Sequence, residues 1–463
     1  MVKSETIEVW FKKILPSPFS IAILLTMLTF VLTFVFGSFS GDEPKIIEAF
    51  KSWKTGLWNP GLMRFLVQMM LMLVLGHVMA LSPLVTKGIN AMLSKIKTGN
   101  QALIFISVLS ITVGLFNWGL ALIVSAIFAR KIGEYATENS IKINYPLIVA
   151  TAYSSLMVWH GGISGSAPAK VAEKGHLKQL MQGVVNEEQL SLLPDRIDYG
   201  GTIFSVMNLT VMGALLVCIP LALLVLNKYV NKSVPTLLTH SVSPENVKIE
   251  EKAVGAQKLD VSAWFIKASG GVVLLICGLD MFMWSSSVLD FINPDGINLL
   301  LFGLCLSLHN HVNGFLDACK QAITGSVGIL IQFPLYFGIM GLMNASGLVQ
   351  MMSNFFVSIS NQTTFPIFTY ISAGIVNVFV PSGGGQWGVQ GPVIMQASSV
   401  LGVDYGKAIM ALAYGDQLTN MLQPFWALPL LGITKLKATD ILPYTCYLFL
   451  CGGLIFGLAL LIF

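Results

Sequence analysis

The chain is poor in charge. Of its 463 residues, 11% are Asp, Glu, Lys or Arg and 54% are hydrophobic. A soluble domain carries about 25% charged residues, so a water-exposed globular surface is excluded. Lys and Arg are missing altogether between Lys320 and Lys407. The six cysteines (Cys218, Cys277, Cys305, Cys319, Cys446, Cys451) lie in or beside apolar runs, with no C-x-x-C spacing. They suggest neither a metal site nor a disulfide framework and read as packing thiols. The net charge of +4 is scattered through short loops and offers no face for nucleic acid. No A-x-A site follows the apolar run at 19–39, which reads as a spanning helix and not as a signal peptide.

What is present is membrane-length apolar sequence. Runs near the roughly 20 residues needed to cross a bilayer give about nine spanning helices, near 19–39, 62–82, 145–160, 200–227, 262–285, 296–310, 321–345, 406–432 and 440–463. The fold class is an all-α polytopic membrane protein. Two stretches, 101–129 and 363–402, are too long for one span and are broken by polar, Gly or Pro residues.

The placement of Lys and Arg orients the chain. Lys3, Lys12 and Lys13 put the N-terminus in the cytoplasm and 40–61 becomes an outer loop. Lys95 and Lys97 before stretch 101–129, and Arg130 and Lys131 after it, put both its flanks inside, which makes it a re-entrant hairpin. The linker 228–260, with Lys228, Lys232, Lys248, Lys252 and Lys258, is cytoplasmic; 363–402 then enters from outside, and the C-terminus lies outside.

The two halves therefore read as an inverted-topology repeat. Residues 1–227 hold the first copy, with hairpin 101–129 and a broken helix at 145–165. Residues 228–295 hold the linker and an unpaired helix. Residues 296–463 hold the second copy, with hairpin 363–402 and a broken helix at 406–432. Ala152-Tyr153 follows Asn117 at nearly the spacing by which Ala413-Tyr414 follows Asn377. Inverted repeats with broken helices are a transporter signature, with the site where the breaks meet.

An unsatisfied backbone group in hydrocarbon costs several kcal/mol, so helix breaks persist only where something fills them. In NVFVPSGGGQWGVQGPV, Pro381 removes a donor, and Ser382, Gly383, Gly384, Gly385, Gln386 and Trp387 form a hairpin tip. The other tip is Asn117, Trp118 and Gly119. TAYSSLMVWHGGISGSAP supplies Ser154, Ser155, His160 and Gly161; AYGDQLTNMLQPFWALP supplies Asp416, Gln417, Thr419 and Asn420, with a kink at Pro424. Asn117 and Asn377 suit either Na⁺ or a carboxylate. A carboxylate near the bilayer centre costs roughly 2.5–3.5 kcal/mol and is functional by default. Asp416 is therefore assigned to cation coupling with Gln417, Asn117 and Asn377. A purely structural role would pair it with Arg64 or His77.

The remaining polar groups read as structural. His309 and His311 close the helix at 296–310 as interfacial residues, Asp280 and Trp284 anchor the unpaired helix, and 166–198 is an amphipathic outer surface segment. Two readings compete with a carrier. Oppositely entering hairpins also suit an anion channel, although no filter repeat is evident. Gly162-Ile163-Ser164-Gly165 and His311-Val312-Asn313-Gly314 match rhomboid-like intramembrane protease motifs, but the topology puts Ser164 and His311 at opposite faces.

These three blocks resemble the bacterial short-chain fatty acid transporter family, within the ion transporter superfamily, over nearly the whole chain. The resemblance implies uptake of small monocarboxylates such as acetoacetate or butyrate by a carrier, not an enzyme. It also implies elevator-type movement, a homodimer in the bacterial inner membrane, and no cofactor beyond a bound Na⁺. The superfamily's tips carry Ser-Asn-Thr. Here only Asn117 and Asn377 match, so either Na⁺ or H⁺ fits the coupling role. No Arg or Lys stands in the breaks, Arg64 being the nearest core cation. A short acyl tail would rest on Trp118, Trp387 or Met157.

Overall fold

A computed structural model describes residues 16–182, 187–236, 254–284, 291, 293–423 and 425–463. Pro424, Lys3, Lys12, Lys13, Lys248 and Lys252 lie outside the described residues. Those described form helices, with an isolated β-bridge between Ile143 and Ser233. Seven helices among them are long and apolar enough to cross a membrane, including Pro18–Phe36, Val206–Leu226, Ala263–Trp284 and Ala438–Ile462. Exposed Leu450, Leu454, Leu458 and Leu461 repeat at helical spacing along the last of these and give it a lipid-type face.

Local sequence sets where these helices begin. Ser17, Asn59, Thr98, Asn117, Asn144, Ser205, Ser262, Asn293, Ser382 and Asp404 each cap a helix by accepting a backbone N–H. Helix N-termini hold N–H groups that the helix itself cannot satisfy, and in a water-poor setting those caps matter most.

One order of elements occurs twice. Each half has a long helix (Pro18–Phe36; Pro294–Leu308), a short one (Lys45–Leu57; Val312–Ile323) and a second long one (Pro60–Leu81; Val327–Ala345). Another short helix follows (Pro83–Leu93; Leu348–Ser358), then a helix pair (Gly99–Phe116 with Trp118–Glu138; Phe365–Phe379 with Gly383–Leu401). A broken helix comes next (Tyr145–Tyr153 continued as 3-10 turns to Gly161; Tyr405–Thr419, a 3-10 turn, then Leu428–Thr434), and a long helix closes each half (Val206–Leu226; Ala438–Ile462). Ala263–Leu279 stands outside this pattern and packs on Pro294–Leu308.

The short helices cross over. Lys45–Leu57 of the first half packs on Val327–Ala345 of the second, and Val312–Ile323 of the second packs on Pro60–Leu81 of the first. At the first contact the backbones nearly touch: a Cβ on Gly56 would sit 2.7 Å from Gly341 Cα. The stretch at 40–61 is therefore a docked helix over much of its length and not an open loop. The run read as 321–345 is two helices separated by the 3-10 turn Thr324–Ser326. A Thr-Gly-Ser sequence cannot sustain the helix through that point, because Gly and Ser favour turns over helix interiors.

Each helix pair folds back on itself. In the first, Gly99 lies against Lys142, and Phe105 and Phe128 meet across the arms with ring centroids 5.6 Å apart. In the second, Gln362 Nε2 donates to Gly402 O at 3.2 Å, and Gln386 Nε2 donates to Ala373 O at 2.9 Å. The bends fall at Asn117 and at Val380–Ser382. Gly415 lets the second broken helix press on this pair, since a Cβ there would stand 2.1 Å from Tyr370 O.

Candidate functional site

The two broken helices meet at their breaks. Tyr153 Oη donates to Asn420 O at 3.0 Å, Asn420 Nδ2 donates to Leu156 O at 3.2 Å, and the His160 N–H donates to Gln417 Oε1 at 2.8 Å. Side chains thus satisfy the peptide groups that each break frees.

His160 and Asp416 face each other at this junction. The Ser166 N–H donates to His160 Nδ1 at 3.2 Å, so Nδ1 is an acceptor and the ring proton belongs on Nε2. His160 Nε2 stands 3.3 Å from Asp416 Oδ2, with both side chains almost fully buried. The pair is close in distance but lacks hydrogen-bond alignment, and both atoms are otherwise without a partner. Gly383, at the second bend, covers them: a Cβ there would stand 2.7 Å from His160 Nε2. The pairing of Asp416 with Arg64 or His77 does not occur. Arg64 binds Asp295, and His77 lines a separate cavity.

Asn377 ties the second helix pair to the second break. Its Nδ2 donates to Asp416 O at 2.7 Å and lies within reach of Thr419 Oγ1 and Asn420 Oδ1, while its carbonyl O accepts from Gln423 Nε2 at 3.0 Å. Its own Oδ1 is buried with no donor, as are Gln423 Oε1 and Gln386 Oε1. Ser154 and Ser155 keep buried hydroxyls without partners, and Gly161 O accepts from Asn208 Nδ2 at 2.9 Å.

Asn117 stands apart from that network, on a cavity of about 410 Å³. Its Oδ1 caps its own helix by accepting from Leu120 N at 2.9 Å, which leaves the amide Nδ2 as its donor. Trp118, Gly119, Ser164 and Gly384 share the cavity wall, so both bends reach it. Ser164 Oγ accepts from Trp118 N at 3.0 Å, and His311 Nδ1 accepts from Gly314 N at 2.8 Å. Both residues of the protease motifs therefore serve as local caps. Segment 166–198 is more than surface cover: Ser166 and Lys170 reach the cavity wall, with Lys170 paired to Glu173 at 2.8 Å. A lysine thus stands close to the breaks.

Other assignments shift. Trp387 Nε1 donates to His176 Nε2 at 3.0 Å, and Met157 packs against Gly452 of the last helix, so both are occupied structurally. Ser382 caps Gly383–Leu401 through Gly385 N at 3.2 Å. The aromatic surface around Trp118 comes instead from residues that periodicity did not single out. Trp426 and Trp159 stand 5.2 and 5.8 Å from Trp118 between ring centroids, and Phe65 stands at 6.1 Å. Asn208, which none of the quoted blocks contains, accepts from Tyr414 Oη at 3.0 Å. No cluster of three or more His, Cys, Asp or Glu suited to a metal occurs among the described residues.

The family model for short chain fatty acid transporters matches residues 2–463. A protein of Escherichia coli K12, named provisionally as a short-chain fatty acid transporter, is 34% identical over 97% of this chain and 96% of its own length. A Haemophilus influenzae protein with the same provisional name is 32% identical over 98% of both. Two solved structures align over 98% of this chain and 97% of their own: Neisseria gonorrhoeae MtrF, described among antimetabolite efflux pumps (TM-score 0.41, 12% identity), and the Alcanivorax borkumensis YdaH transporter (TM-score 0.40, 15% identity). The extent of the family match and the identity to both curated relatives place this chain in the short-chain fatty acid transporter family.

Proposed function

We propose that this protein is a secondary carrier for short-chain monocarboxylates such as butyrate or acetoacetate, and that proton binding at the His160–Asp416 pair drives transport. The observation that carries this reading is the His160 Nε2 to Asp416 Oδ2 distance of 3.3 Å, buried beneath the Gly383 bend. A single charge in a dry site is costly, so whatever neutralises the Asp416 carboxylate is strongly coupled to what else the site holds.

The substrate carboxylate would lie in the cavity shared by Asn117, Gly119 and Gly384. The Asn117 amide would supply a donor there, and Lys170 would have to share its charge between the substrate and Glu173, with which it is paired on the same wall. The acyl tail would rest on Trp118, Met72 and Ile163 of the same wall. One carboxylate and a tail of a few carbons match this donor set better than a dicarboxylate does. Sodium is a second reading, favoured by the donorless oxygens of Asn377, Gln423 and Asp416.

The repeated element order supports an inverted repeat whose helix pairs are re-entrant. The helix pairs and broken helices would then move together against the cross-braced long helices, as in an elevator, within a homodimer of the inner membrane. The experiment is uptake of labelled butyrate into proteoliposomes under separately imposed H⁺ and Na⁺ gradients. Accumulation driven by the proton gradient alone supports the reading. Accumulation that follows only Na⁺ moves the coupling role to the donorless oxygens, and gradient-independent flux removes the carrier.

A further inference from the structure

A second cavity, of about 350 Å³, lies away from the candidate site at the seam between the long-helix frame and the elements proposed to move. Arg130 and Lys131 enter it from the second arm of the first helix pair, about 20 Å along the helix from Asn117 at 1.5 Å per residue. Lys435 enters from the end of the second broken helix, and His77 and Thr324 come from the frame. Glu134 is shared, accepting from Arg130 Nε at 2.7 Å and Lys131 Nζ at 3.0 Å. Three cations thus line a space with one carboxylate, and the excess is positive. The remaining wall is apolar, from Leu81, Ile127 and Ile433.

Lys435 shows that this arrangement is specific. It closes Leu428–Thr434 in the left-handed backbone region, at φ 60°, where Gly is the usual residue and a side chain is disfavoured. Its Nζ reaches Thr324 Oγ1 at 3.4 Å, across the seam. A glycine would hold the turn at less cost, so the side chain here bears a strain that its reach across the seam can offset.

We propose that this cavity is a second anion site, which takes a small monocarboxylate by its charged end on Arg130 and Lys435 and by its tail on the apolar wall. The volume falls within the roughly 300–1,000 Å³ of small-molecule pockets, and charge beside apolar wall matches an amphiphilic anion and not a bare inorganic one. The identity of the anion rests on the carrier reading; the charge and shape of the site do not. Positive-inside orientation puts the cavity on the cytoplasmic side, where it would receive substrate as it leaves the first site.

The test is lysine labelling of the purified full-length protein. Reductive methylation at Lys435, read by peptide mass spectrometry, is compared in sodium butyrate and in sodium chloride of equal ionic strength. Exposed Lys95 and Lys97 serve as internal controls. Butyrate at ten times its Kd should slow Lys435 labelling about tenfold by mass action and leave the controls unchanged. The Arg130→Gln variant should lose that protection. Equal labelling of Lys435 in both salts overturns the proposal even where butyrate uptake is normal. Protection without uptake sinks the carrier reading and leaves the anion site standing.

Discussion

His160 and Asp416 come from broken helices in different halves of the chain, yet their side chains stand 3.3 Å apart with almost no exposure. Removing either partner strands the other in a buried setting. Asp416→Asn keeps the shape but takes away the carboxylate. The expected outcome is loss of gradient-driven butyrate accumulation with exchange of internal for external butyrate retained. Counterflow in proteoliposomes separates the two, and unchanged proton-driven accumulation would take Asp416 out of the mechanism.

The Gly383 bend makes a steric prediction. Gly383→Ala places a methyl 2.5 Å from His160 Cε1, a separation that real Cβ atoms do not show. Overpacking of this kind costs typically about 1–3 kcal/mol, and here it would fall on the His160–Asp416 pair. Gly388→Ala, in the same helix with nothing within 4 Å of the added carbon, is the control. The control should transport normally or be slightly more stable, because Ala favours helix over Gly by about 1 kcal/mol. Equal transport by both variants would mean that the bend does not touch the coupling group.

The breaks were legible in the sequence because Gly, Pro and Asn interrupt apolar runs, and the structure bends at Asn117 and at Val380–Ser382. The partner of Asp416 was not legible. Periodicity assigns a face to a helix but does not say which distant helix that face meets. Lys45–Leu57 escaped for a different reason: Lys45, Glu48, Lys51 and Lys54 make it look like a loop. Ala49, Trp53 and Gly56 recur at helical spacing, and they were the available signal for its buried face.

Ser164→Ala separates a cap from a nucleophile. The hydroxyl accepts from Trp118 N at 3.0 Å, at the start of the second arm of the first helix pair. Its loss should lower the melting temperature slightly, in line with about 1 kcal/mol for one hydrogen bond, and should weaken uptake without abolishing it. Cleavage of a membrane substrate by the wild type, lost in this variant, would restore the protease reading.

Asn208 joins three segments. Its Nδ2 donates to Gly161 O at 2.9 Å and to Ile203 O at 2.7 Å, and its Oδ1 accepts from Tyr414 Oη at 3.0 Å. Asn208→Leu would leave those buried groups unpaired, each at about 1–3 kcal/mol. The expected result is a clear fall in thermal stability in detergent, larger than that of Asn208→Gln, which keeps an amide donor and an acceptor. Equal melting temperatures for the wild type and both variants would show that the junction is held elsewhere.

His176 gives the second helix pair a pH-sensitive contact outside the spanning helices. Trp387 Nε1 donates to its Nε2 at 3.0 Å, which requires that nitrogen to be unprotonated. Burial lowers the His176 pKa below its ordinary value of about 6.5, with Glu173 opposing the shift and Lys170 adding to it. A folded-state pKa below the unfolded one means that the unfolded chain binds more protons in the interval between them, so stability falls as pH drops through that interval. The stability this contact contributes is therefore full above about pH 6.5 and declines as pH drops below it. Amide exchange over residues 166–182 should accelerate on acidification in the wild type and lose most of that pH dependence in His176→Gln, whose amide oxygen still accepts from Trp387. Exchange that speeds up equally in both would assign the effect to another group.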